Sequence, residues 1–103
     1  MATPYPLVPR YGGTSSALNV TVTTAVKASP GTLYRVTVLT VATAGTFGIY
    51  DAATTGAAAA ANAIVALAAA WPAAGTVYTL EWPCLSGIVV DPGTGGAVSV
   101  SYA

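Results

Sequence analysis

Residues 76–82 read Thr-Val-Tyr-Thr-Leu-Glu-Trp (TVYTLEW) and alternate without a break. Tyr78, Leu80 and Trp82 share one parity; Val77, Thr79 and Glu81 share the other. Successive side chains of a strand point to opposite faces, so this run predicts a half-buried strand with Tyr78, Leu80 and Trp82 toward a core. Residues 97–102 (AVSVSY) repeat the period, with Val98, Val100 and Tyr102 on one side. Between the two runs lie Pro83-Cys84-Leu85-Ser86-Gly87, an interruption, then the apolar strand Ile88-Val89-Val90, then the turn DPGTGG over 91–96.

Working toward the N-terminus, the same signature recurs. Phe47 and Ile49 share a face in TFGIY (46–50), which follows the short turn Ala44-Gly45. In TLYRVTVLTVA (32–42), Tyr34, Val36 and Val38 face one way, and then Leu39 and Val41 appear on the opposite parity. A bulge near Val38 or a strand covered on both faces accounts for that switch. Leu18, Val20, Val22 and Val26 share a parity, with Thr24 interrupting, and Ser29-Pro30-Gly31 closes the run as a turn. The stretch 56–70, GAAAAANAIVALAAA, has the local propensity of a helix, because Ala is the best helix former. The β context favours a strand over 63–68, with a short helix crossing one end of the sheet as the alternative. Seven strands result, each bounded by Gly, Pro or Asp turns. The fold class is all-β: a single β-sandwich, Ig-like or jelly-roll-like, over residues 14–103.

Residues 1–13, MATPYPLVPRYGG, stand apart. Each proline fixes its own φ and pushes its predecessor toward extended geometry, so the segment reads as an extended arm. Tyr5, Leu7, Val8 and Tyr11 give it apolar side chains to lay over a neighbouring subunit; a frayed terminus is the plainer alternative.

The 103 residues suffice for one domain. Only 6% are charged, with three basic and three acidic residues and no net charge; a soluble domain ordinarily carries about 25%. Three scattered cations do not make a phosphate-binding surface, so nucleic acid is not an expected partner. The absence of histidine excludes histidine catalysis and histidine metal sites, and a single cysteine excludes a disulfide within the chain. High hydrophobicity with low charge is the reverse of a disordered composition. With 54% hydrophobic residues and little charge, apolar side chains must lie outside the core. Cover by other protein chains is the simplest account, and a Thr- and Ser-rich surface soluble without charge is its rival. The apolar run 56–70 is mostly Ala, too short to span a bilayer as a helix, and stopped by Trp71-Pro72. The N-terminal prolines interrupt the apolar core a secretory leader would need. Neither membrane insertion nor secretion is expected.

Reactive chemistry is sparse. Asp51, Glu81 and Asp91 are the acidic residues, and a catalytic pair requires two of them to converge. Asp51 and Asp91 both precede loops, where Asp ordinarily bonds backbone N–H groups; a calcium ion held between them is the rival reading. Cys84 has no histidine to activate it and reads as a small buried hydrophobe. Gly93-Thr94-Gly95-Gly96 lacks the Lys-Ser/Thr ending of a phosphate loop and reads as a hairpin turn. No catalytic residue, metal ligand or cofactor follows from these residues. Among the aromatic residues, Tyr34, Tyr78, Trp82 and Tyr102 fall on apolar parities and are assigned to the core. Tyr50 and Trp71 sit at strand ends or turns and are the interface or ligand candidates.

Residues 33–102 resemble small structural proteins of tailed-phage virions. The resemblance lies in a strand ending at Tyr50-Asp51, a later strand opening at Gly87-Ile88, a Gly-rich turn and a short last strand over 97–102. It implies a non-enzymatic bacteriophage structural protein: a capsid decoration or cement subunit that bridges and stabilises coat subunits in the virion. The implied partners are the major capsid protein or other virion proteins, together with copies of itself, a trimer being favoured by capsid symmetry. A tail, neck or fibre module binding host glycan or another virion protein is the alternative. The resemblance carries no active residues, and the Ala-rich 57–70 segment departs from it.

Overall fold

A computed structural model describes residues 15–103. The arm over 1–13, and with it Tyr5, Leu7, Val8 and Tyr11, lies outside the described residues. Eight strands follow one another: β1 (Ser15–Val20), β2 (Thr24–Lys27), β3 (Gly31–Thr40), β4 (Phe47–Tyr50), β5 (Ala63–Leu67), β6 (Val77–Cys84), β7 (Ile88–Asp91) and β8 (Ala97–Tyr102). They form two antiparallel four-stranded sheets, in the orders β1-β8-β3-β6 and β2-β7-β4-β5. Of the seven connections only β4–β5 stays within one sheet; at the other six the chain crosses between layers. This is the strand order of a jelly roll, and it decides between the two sandwich types consistent with the sequence.

The core lies between the sheets. Val20, Leu33, Val36, Val38, Cys84, Val98 and Val100 come from the first sheet; Phe47, Ile49, Ile88 and Val90 come from the second. Leu67, Trp71, Tyr78, Leu80 and Tyr102 close its margins. Burying each large aliphatic or aromatic side chain contributes roughly 1.5–3 kcal/mol. Val89, on the opposite parity of β7, is also fully buried and is paired with Tyr50 across β4. The continuously apolar reading of 88–90 therefore reflects a strand covered on both faces.

Four local expectations are corrected. The strand expected through 18–26 is two strands, because Asn19 adopts a left-handed φ of 54° and the β1–β8 register shifts between Ala17 and Val20. Asn tolerates that region better than most residues. The bulge turns Ala17 and Val20 inward and leaves Leu18 74% exposed; Val22 falls in the connection between the two strands. In β3 the register slips at Leu33–Arg35 as well as at Val38–Thr40. Leu33, Val36 and Val38 point inward, whereas Tyr34 is half-buried and outside the core cluster. In β6, Glu81 at φ 48° makes a further irregularity, so the strand runs on through Pro83 to Cys84. Trp82 is then 45% exposed at the open edge of the sheet rather than in the core.

The Ala-rich segment does form a strand over 63–67, preceded by two 3-10 turns at 55–57 and 60–62. Asn62 explains why helix propensity loses here. Its Oδ1 accepts the Ala59 N–H at 2.9 Å, and its Nδ2 donates to the Ala57 carbonyl at 2.8 Å. Such local bonds compete with the helical ladder. Ile64 and Val65 then pack on the core beside β4.

Candidate interaction site

One end of the sandwich is built from the connections 21–23, 41–46, 68–76 and 92–96. These loops are knitted to each other. Thr43 N donates to Thr94 O and Thr94 N to Ala44 O, both at 2.9 Å. The indole Nε1 of Trp71 donates to Gly45 O at 3.0 Å, tying the 68–76 connection to the same point. Gly45, Gly93 and Gly95 hold φ near +75°, a conformation that costs other residues strain, so these tight turns require glycine.

A shallow cleft of about 410 Å³ opens among them, lined by Thr21, Val22, Thr23, Gly45, Thr46, Asp91, Gly93, Thr94 and Gly95. Its walls are threonine side chains, Val22 and glycine backbone, and among the described residues its one charge is Asp91. The Oδ1 of Asp91 accepts the Gly93 N–H at 2.9 Å. Among the described residues, its Oδ2 takes no hydrogen bond. The rim is apolar: Val22 is 68% exposed, and Leu39, Val41 and Val77 are exposed near the same end.

Of the two aromatic candidates within the described residues, neither lines the cleft, and Trp71 supports it from behind. Trp71 is half-buried against the core with its N–H used by Gly45. Tyr50 lies on the outer face of the second sheet, its ring folded over Gly48, where a β-carbon would collide with it. Gly48 pairs with Asp91, and burial followed by the Asp91 charge raises the Tyr50 hydroxyl above its ordinary value.

Asp51 does different work at the other end of the molecule. Its Oδ2 accepts the Leu85 N–H at 2.9 Å, and its Oδ1 accepts those of Ser86 at 2.8 Å and Gly87 at 3.3 Å. Partial burial pushes its carboxyl upward, but the three backbone donors outweigh it and hold the carboxyl below the ordinary value. Asp91 thus caps its own turn, as Asp does in loops, whereas Asp51 reaches across to the β6–β7 connection; the two do not converge on a common cation. Among the described residues no group of three His, Cys, Asp or Glu side chains comes together. Cys84 is buried, its thiol pushed up to about 11, first by burial and then by the Asp51 charge.

Sequence reasoning passed over the cleft threonines, because a Thr in a loop carries no signal of its own. Only the crossing of strands between sheets brings 21–23 beside 45–46 and 91–95. No protein-family model, curated protein or solved structure matches the chain.

Proposed function

We propose that the chain is a non-enzymatic structural subunit of a virion: a decoration or cement protein that binds across coat subunits and holds them together. The observation that carries this reading is the character of its surface. Leu18, Val22, Leu39, Val41, Val77, Trp82 and Leu85 are exposed large hydrophobics, and the described residues carry only Lys27, Arg35, Asp51, Glu81 and Asp91 as charges. Interface cores are depleted in charge and enriched in apolar contact, and this surface has that composition. Among the described residues Asp91 is the one charge at the loop end, so that end can approach a protein surface with little desolvation cost. The jelly roll is an architecture used by viral capsid domains and also by lectins, which gives fold-level analogy and no more.

The test uses shells assembled from the coat protein of the virion that encodes this chain, prepared without it. Added chain should cosediment with the shells at a fixed stoichiometry and raise their disruption temperature. Shells whose sedimentation and disruption temperature do not respond would remove the reading.

A further inference from the structure

Among the described residues the loop-end cleft carries one charge, the Asp91 carboxylate at its wall, and one oxygen of that carboxylate has no hydrogen-bond partner there. A ligand suited to it is an extended segment bearing one cation flanked by apolar side chains. The chain contains such a segment outside the described residues: Tyr5-Pro6-Leu7-Val8-Pro9-Arg10-Tyr11, with Arg10 its single charge. We propose that this segment of a neighbouring copy docks in the cleft, Arg10 against Oδ2 of Asp91 and its apolar neighbours against Val22. The inference rests on the assembly reading above and names the contact that links copies.

The assembly reading assigns the segment to a neighbour. Ser15 pairs with Tyr102 at the end of the sandwich remote from the cleft, and Val20, next to the cleft residue Thr21, pairs with Val98. The cleft lies at the opposite end, where Val22, Leu39, Val41 and Val77 are exposed and open to cover by a second copy. A copy whose loop end lies beside this copy's Ser15 end brings segment and cleft together. The contact joins unlike surfaces, one end to the other, so it closes into a ring when its rotation allows, three copies being one solution.

The test keeps the full chain. Two variants, Pro9→Cys and Thr94→Cys, both keeping Arg10, are purified separately and mixed under mild oxidation; Pro9→Cys is mixed in parallel with Thr55→Cys, exposed on a 3-10 turn away from the cleft. Docking predicts that the 9–94 heterodisulfide forms at least about tenfold faster than the 9–55 one, because the bound segment raises local concentration. Arg10→Glu and Asp91→Asn should each shift the self-association midpoint by about tenfold or more. Asn can still accept the Gly93 N–H, so the turn survives in the second variant. The pair Arg10→Glu with Asp91→Lys should recover association relative to Arg10→Glu alone. Equal linkage to both positions, or an unchanged midpoint in both charge variants, would overturn the proposal. So would a link formed only within one chain of a Pro9→Cys/Thr94→Cys double variant. If these fail while the chain still binds shells, the docking falls and the assembly function stands. If the link forms but shells are not bound, the docking stands and the virion function falls.

Discussion

Replacing Asp51 with alanine removes the acceptor for the Leu85, Ser86 and Gly87 N–H groups at once. Water replaces it readily at the exposed donors and less well at Gly87, so the expected loss is about 1–2 kcal/mol, read as a shift in the urea midpoint. The sign with pH follows from the direction of the shift. The folded carboxyl sits below its ordinary value, so its contribution is complete above about pH 4 and is lost as pH falls through the lower folded value. The stability difference between wild type and Asp51→Ala should therefore narrow in acid; a difference independent of pH would mean that the carboxylate charge is irrelevant. Gly87 adds a steric constraint at the same turn, since a β-carbon there would lie 2.5 Å from Ala52 O and 2.6 Å from Lys27 O. Cys84 offers a second check on this end. With its thiol raised to about 11 and its side chain 2% exposed, it should react with a disulfide reagent at pH 8 at least about a hundredfold more slowly folded than in denaturant. Labelling at comparable rates would show that the core opens there.

The strands were legible where the period of two ran unbroken. Val98, Val100 and Tyr102 of β8, Phe47 and Ile49 of β4, and Tyr78 and Leu80 of β6 all face the core as their parity requires. Legibility failed at irregular backbone. Parity arguments assume one residue per step, and the distortions at Asn19 and Glu81 break that count, exposing Leu18 and Trp82. The cleft was illegible for another reason: its residues come from three connections whose meeting depends on sheet order, which no single segment encodes. Tyr50 and Trp71, singled out by their position at strand ends, do not line the cleft: Trp71 bonds Gly45 from the core side, and the Tyr50 ring lies over Gly48. The 68–76 connection contains a strained point that tests this picture of the loops. Ala70 sits at φ 54° without the freedom of glycine. Ala70→Gly should raise stability by about 0.5–1 kcal/mol in thermal or urea unfolding, with no change in assembly. A destabilised variant would mean that the Ala70 methyl is packed rather than strained.

At the scale of the whole molecule, charge and apolar exposure are unevenly distributed. Among the described residues, Lys27 and Asp51 lie toward the Ser15 end and Arg35 and Glu81 on the first sheet, and Asp91 alone marks the loop end. The exposed Val22, Leu39, Val41 and Val77 gather near that loop end. A free monomer with this surface and no net charge lacks the repulsion that keeps proteins apart, and association of copies removes the liability. Contacts that are individually weak gain strength when many copies sit on one shell. Native mass spectrometry of the full chain across a concentration series tests this most directly. The account predicts a discrete closed oligomer, a trimer foremost, that builds up with concentration and persists at low ionic strength. A monomer at every concentration would contradict it.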